Sequence, residues 1–242
     1  MAQAMPGLER LLATYEAKSG GVLSIQPWYK TNTLWEQCAA FVNILVMAGL
    51  NAFTVRGSQA KPAGAFGPCL LFRREDYFAC GGHLAVRDYW LEDVPLGQNI
   101  LKNRISLHLL GGKGSVWFRM YSQGLREMTQ GFAKSFSEGA SAVPPSVIIL
   151  SSLWITGLFN LLGIALLGGF IPMQLRFTTV LLFWIIASLE LHRMFRSAGN
   201  FSLLTALAWP VPFFYFLWVH LLSFIQSRSG KRVWKGRVSG DH

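Results

Sequence analysis

Of the four aspartates in the chain, Asp93 is the one placed to act as a base. It lies in the run Trp90-Leu91-Glu92-Asp93-Val94-Pro95. Proline suits the first turn of a helix and aspartate suits its N-cap, so the run predicts a helix over Val94–Asn103 headed by Asp93. The helix dipole would keep such a carboxylate ionised at neutral pH, as proton abstraction requires. A plain capping aspartate fits the same pattern, and spacing alone does not separate the two. A second set is Arg126, Gln130 and Lys134, four apart on the predicted helix Leu125–Phe136. That spacing lines one face with polar and basic groups, suited to a diphosphate or to anionic lipid heads, or simply to solvent. The lone histidines His83, His108, His192 and His220 lack paired metal-ligand spacing. No Gly-x-Ser-x-Gly or Cys/His arrangement supports a covalent nucleophile.

The elements that must hold these residues read as mixed α and β. Leu8–Lys18 is helical in pattern and stops at Gly20-Gly21. Val22–Pro27 alternates like a short strand. Thr33–Phe53 reads as a long helical stretch whose apolar run, containing Asn43 and Asn51, is too short and too polar to span a membrane; a core helix is favoured over a membrane-surface one. Ser58–Gly67 is a loop, Pro68–Arg73 a strand and Glu75–Cys80 a short helix. Ile105–Leu110 and Ser115–Tyr121 read as strands joined by a hairpin turn at Gly111-Gly112-Lys113-Gly114. That tetrad is not a phosphate loop, since Lys113 is followed by glycine and by strand pattern. Strands alternating with helices make an α/β layer the expected fold of residues 1–145.

The rest of the chain is different. Of 242 residues, 52% are hydrophobic and only 14% charged, well below the quarter usual in soluble domains. Residues 146–242 carry eight basic and two acidic groups, so the basic surplus clusters where the chain is most apolar. That is membrane-flanking charge rather than a nucleic-acid surface, because the globular half has no basic stripe with interleaved aromatics. Ser146–Phe170 runs 25 residues without a charge, long enough to span a bilayer. Phe177–Leu189 is a shorter apolar run, flanked by Arg176 and by Glu190, His192, Arg193 and Arg196, with Glu190 and Arg193 spaced to pair. Phe201–Ser227 is uncharged but should kink or break at Pro210-Val211-Pro212. The tail over 228–242, with Arg228, Lys231, Arg232, Lys235 and Arg237, is expected on the cytoplasmic side. With the globular part also cytoplasmic, one of the three apolar segments would not cross completely, the proline-broken one first. Three unpaired cysteines, Cys38, Cys69 and Cys80, give no zinc or dithiol motif and suit a reducing compartment.

Taken together, the pieces Gly67-Pro68-Cys69-Leu70-Leu71-Phe72-Arg73-Arg74, Tyr77, Gly81-Gly82-His83, Glu92-Asp93, Arg119-Met120-Tyr121, Gly131-Phe132-Ala133-Lys134 and Trp234-Lys235-Gly236-Arg237 come in an order that resembles the membrane-associated family 2 glycosyltransferases of GT-A fold. The branch most resembled is that of the carotenoid (4,4'-diaponeurosporenoate-type) enzymes. The resemblance implies a Rossmann-like α/β domain followed by a helical membrane region, and inverting transfer of a sugar from a nucleotide-sugar to a lipid-like acceptor. It implies Asp93 as the base with Glu92 beside it. Arg126, Gln130, Lys134 and Phe132 would face the donor diphosphate, with Phe132 standing where the family often has tryptophan. Arg73, Gly81, Gly82 and His83 would lie on the acceptor side. A divalent ion, magnesium or manganese, would accompany the donor, but no Asp-x-Asp occurs here to hold it. The resemblance thus covers the C-terminal part of such an enzyme. The expectation is that this chain needs the nucleotide-binding half, from a longer or a separate chain, to be active. The competing expectation is a non-catalytic membrane subunit that binds a partner.

Overall fold

The computed structural model describes residues 6–18, 20–53, 60–89, 91–139, 142–169, 171–229, 233–234 and 237–238. It shows a mainly helical molecule with small sheets and three long apolar helices. Helix α1 (Pro6–Ala17) ends at Gly20 and Gly21, whose φ values of 107° and 87° are open to glycine. A side chain at Gly21 would also strike the Ser106 carbonyl. The chain then enters β1 (Val22–Gln26), the centre of a three-stranded sheet. On one side β1 pairs antiparallel with β3 (Leu70–Leu71), Leu23 opposite Leu71. On the other it pairs parallel with β4 (Leu107–Gly111), Val22 opposite Leu107. The strand expected over Pro68–Arg73 is therefore reduced to two residues.

The hairpin expected at Gly111–Gly114 does not form. Strand β2 (Trp28–Tyr29) follows β1 after Pro27, and it pairs parallel with β5 (Trp117–Phe118). Segments 22–29 and 107–118 thus run side by side in the same direction. Proline has no N–H for the ladder, and opposite it the chain bulges out. The Ser115 and Val116 amides both donate to the Gly112 carbonyl, while the Gly112 amide donates to the Gln26 carbonyl. The glycines serve a detour within one parallel pairing, not a reversal.

The long helix expected over Thr33–Phe53 is a 3-10 turn (Trp35–Ala39) running into α2 (Ala40–Gly49). As anticipated, α2 is a core helix: Phe41, Val42, Ile44 and Met47 are buried. Its core, however, is built with the apolar helices α6 (Pro145–Leu167), α7 (Met173–Ala198) and α9 (Pro210–Ser229). The Phe41 ring meets Trp154 of α6 at 5.6 Å, Phe195 of α7 at 5.3 Å and Phe213 of α9 at 5.4 Å. These three helices are each long and apolar enough to cross a membrane. The third segment breaks where its prolines predict: a short α8 (Leu203–Leu207), capped by Ser202, ends before α9 begins at Pro210. Glu190 and Arg193 form their i,i+3 pair at 2.7 Å.

A polar clasp ties the end of α7 to β2. The Thr31 amide donates to Asn200 Oδ1 at 2.6 Å, and Asn200 Nδ2 donates back to the Thr31 carbonyl at 2.9 Å. The Asn200 amide donates to the Tyr29 carbonyl at 3.0 Å, and the Ser202 amide to Gln37 Oε1 at 2.9 Å. Of the basic tail, Arg228 in the last turn of α9 and the short strand pairing of Val233–Trp234 with Arg237–Val238 fall within the described residues; Lys231, Arg232, Lys235 and residues 239–242 lie outside them.

Candidate active site

Asp93 opens helix α4 (Asp93–Lys102) but does not cap it. Glu92 occupies the cap position, without a side-chain cap bond, and Asp93 is the first helical residue. Leu96, Gly97 and Ile100 of α4 are buried, and Leu96 and Ile100 pack with Val22 and Leu107 over the sheet. Only residues 103–106 separate α4 from β4, so the helix runs back along the strand and its first turn stands toward the carboxyl ends of β1 and β4. Ligands of α/β sheets bind at that end.

Three glycines let residues 64–67 lie directly on this helix. A Cβ on Gly64 would stand 3.1 Å from the Val94 Cα, one on Gly97 would strike the Ala65 amide, and one on Gly67 would overlap the Asp93 carboxylate. The segment is fastened to β1 by Ser24, whose Oγ accepts from the Phe66 amide at 2.6 Å and donates to the Phe66 carbonyl at 3.1 Å. The Gly67 amide is consequently aimed at Asp93 and hydrogen-bonds its carboxylate.

The electrostatics differ from the dipole argument. Burial and then the neighbouring charge of Glu92 push the Asp93 carboxyl up to about 6, while His83, the Gly67 amide and Lys134 pull it down by less. Desolvation outweighs the dipole because Asp93 is largely covered and gains one backbone donor only. A carboxyl near 6 is mostly ionised at neutral pH yet basic enough to take a proton.

His83 is held by Tyr77, on helix α3 (Arg74–Ala79): the His83 amide donates to the tyrosine oxygen at 3.1 Å, and the hydroxyl lies 2.9 Å from His83 Nδ1. Gly82, at φ 53°, passes so close to the tyrosine ring that a Cβ there would stand 2.6 Å from it. Lys134 comes from α5 (Leu125–Gly139), which buries Met128, Phe132 and Ala133 toward the shared core. Close to it, Tyr121 adopts φ 56° and lays its ring against Gly131, 5.0 Å from the Phe132 ring, with its hydroxyl bonded to Ser135. Burial pushes that phenol up to about 12, so it is neutral.

Of the residues expected to act, Glu92, His83 and Lys134 each lie within electrostatic reach of Asp93. Arg126 and Gln130 are exposed on α5, about 12 and 6 Å along the helix from Lys134. Phe132 is 5% exposed and packs in the core. Arg73 is exposed before α3, with its guanidinium over Gly20. Gly81, at φ 82°, and Gly82 shape the turn that delivers His83. Tyr77 and the Gly67 amide were not singled out by type or spacing; the Gly81-Gly82 turn four and five residues after a tyrosine was the available signal. Among the described residues no group of three histidine, cysteine, aspartate or glutamate side chains could hold a metal ion. Asp93 has one neighbouring carboxylate, Glu92, and its other partners are His83, Lys134 and the Gly67 amide, so the described residues do not fit a divalent ion.

A cavity lies apart from this cluster. A groove of about 670 Å³ opens where the start of α6 meets the end of α7, walled by α2 and the ends of β1 and β4. Its lining is apolar (Ile44, Met47, Leu150, Trp154), with Lys113, Glu190 and Arg193 as its charges. Neither Asp93 nor Lys134 lines it, but Gly64 bridges the two regions, between Leu50 at the end of α2 and Val94 of α4.

No family model matches the chain, and neither does any solved structure. Among curated proteins it is similar to the 4,4'-diaponeurosporenoate glycosyltransferase of Staphylococcus aureus strain MRSA252, with 30% identity over 234 residues, 95% of this chain. The same protein of strains USA300 and NCTC 8325 is 30% identical over 233 residues. The chain spans 62% of the length of these relatives. Along nearly its whole length, then, this chain is similar to the 4,4'-diaponeurosporenoate glycosyltransferases.

Proposed function

We propose that the chain forms the acceptor side of a membrane glycosyltransferase, moving a sugar from a nucleotide-sugar to a lipid-like acceptor with inversion. The observation that carries this is the Asp93 carboxyl at the head of α4, packed against Gly67, pushed up to about 6 by burial and within electrostatic reach of Lys134. Asp93 takes the proton of an acceptor hydroxyl as its oxygen bonds to the anomeric carbon. The bond from that carbon to the donor phosphate breaks, and Lys134, with Arg126 and Gln130 farther along α5, receives the departing negative charge. Glu92 supports the basicity of Asp93 through its own charge. The acceptor's hydrocarbon part would enter from the bilayer by the groove between α2, α6 and α7, with its head passing Gly64 toward Asp93.

The relatives' greater length accords with a second, nucleotide-binding part. In this reading that part supplies the donor site and any divalent ion, and the 242 residues alone do not transfer sugar. The basic tail suits a multi-pass protein of the cell membrane with its globular part on the cytoplasmic side. The test is transfer of radiolabelled sugar from a nucleotide-sugar into extractable lipid, by membranes carrying this chain with the missing part of a Staphylococcus aureus relative. Label that vanishes with Asp93→Asn is expected. Label that persists in the variant would overturn Asp93 as base, and no label from folded protein in either case would overturn the enzymatic reading.

A further inference from the structure

Tyr77 has a role at this site that neither the chain's relatives nor the residue spacing assigns. Its hydroxyl is engaged twice by one residue: it accepts the His83 amide proton at 3.1 Å and lies 2.9 Å from His83 Nδ1. A phenol has one proton to give. With one oxygen lone pair already taken by the amide, giving that proton to Nδ1 spares the oxygen a second incoming donor. The O–H···N bond is also the stronger choice, because a phenol is a far better acid than a neutral imidazole N–H. The ring cannot drift out of this grip. Phe72 meets the Tyr77 ring edge-on at 5.4 Å and Phe78 at 5.5 Å, and the bare face of Gly82 lies against it. Among the described residues Nε2 of His83 has no hydrogen-bond partner, and the ring is exposed, within electrostatic reach of the Asp93 carboxylate.

We propose that Tyr77 is a positioning residue that fixes neutral His83 in its Nε2–H form, so that this histidine offers a hydrogen-bond donor to the oxygen-bearing head of the acceptor beside Asp93. The acceptor's role here rests on the function proposed above; the fixed tautomer does not. The donor and the base then address the same ligand oxygen from two sides: Asp93 removes the proton and His83 orients the lone pairs without competing for it. A histidine in the opposite tautomer would present a second acceptor there and repel that oxygen.

The experiment is nitrogen-15 NMR of the imidazoles in the whole chain in lipid nanodiscs at alkaline pH. His83→Gln identifies the His83 signals. The wild-type ring is expected to show an unprotonated Nδ1 and a protonated Nε2, and Tyr77→Phe to give a mixture of the two tautomers with the other imidazoles unmoved. A wild-type ring protonated on Nδ1 would overturn the proposal even if Tyr77→Phe fails to fold, and so would a folded Tyr77→Phe protein with unchanged His83 signals. Because this readout needs no sugar transfer, it separates failure of the positioning from failure of the enzymatic reading. With activity in hand, Tyr77→Phe should raise the acceptor KM about tenfold and leave the KM for the sugar donor unchanged; equal changes in both would overturn the acceptor-directed role.

Discussion

Asp93 and Glu36 are both shielded carboxylates with a cationic side chain nearby, yet their surroundings push them in opposite directions. Glu36 is fully buried in the 3-10 turn before α2. Burial alone would raise its pKa, but the Asn32 amide, the Arg119 guanidinium at 2.7 Å and the Thr33 amide at 2.8 Å together hold it below the usual range. Asp93 has the Gly67 amide as its backbone donor, and the charge of Glu92 beside it, and it is raised to about 6. What separates a structural carboxylate from a reactive one here is not depth but the number of donors that meet the charged form. Glu36 is satisfied and joins the turn to β5, whereas Asp93 is left with capacity for a proton.

Exchanging each acid for its amide should break the two apart most visibly. Asp93→Asn is expected to lower the rate of sugar transfer by about 10²–10⁴-fold, the usual contribution of a general base, with no loss of thermal stability in detergent. Glu36→Gln should do the reverse. It leaves Arg119 and two amide donors facing a neutral group, a cost of about 3 kcal/mol, the low end for breaking a buried pair because Arg119 is partly solvated. Its measure is the denaturation midpoint, and a Glu36→Gln protein as stable as the wild type would remove the structural half of the comparison. Next in size is Gly67→Ala. The added methyl would overlap the Asp93 carboxylate, so overpacking of about 1–3 kcal/mol is expected. The displaced carboxylate loses its backbone donor, and the acid limb of the rate profile should move upward from about 6. A folded variant with an unmoved limb would mean that Gly67 does not set the basicity of Asp93.

The sequence made the local half of this picture legible. Proline and glycine punctuation located the end of α1, the break before α9 and the start of α4, and spacing alone gave the Glu190–Arg193 pair. What it did not show depends on contacts between distant segments. The Gly111–Gly114 turn has the composition of a hairpin, but its flanking strands found β1 and β2, and the detour opposite Pro27 is set by those partners. Asp93 read as a dipole-stabilised cap because Gly67, 26 residues earlier, could not be seen to cover it. Glu36 carried no motif at all, since its three donors come from a turn and from β5's neighbour Arg119. The shared core around Phe41, formed by rings from α6, α7 and α9, likewise has no periodic signature.

The smallest expected signal, and the one that tests both carboxylates in a single protein, is the pH dependence of stability. Between 3.8, the ordinary value for an aspartate, and about 6, native Asp93 holds a proton that the unfolded chain has released. The folded state then binds more protons, so stability rises as the pH falls from 6 toward 4, with a slope of at most about 1.4 kcal/mol per pH unit for one group. Glu36 works the other way: its lowered pKa supplies stability that is present above 4.5 and lost as the pH falls further, when the unfolded glutamate takes up its proton first. Denaturation midpoints of the detergent-solubilised chain should therefore climb slightly from pH 7 to about 4.5 and drop once the pH falls below about 4. Asp93→Asn should flatten the climb and keep the drop, and Glu36→Gln should lessen the drop and keep the climb. If Asp93→Asn leaves the climb intact, the proton taken up near pH 6 is not on Asp93, and the contrast with Glu36 fails at its physical root.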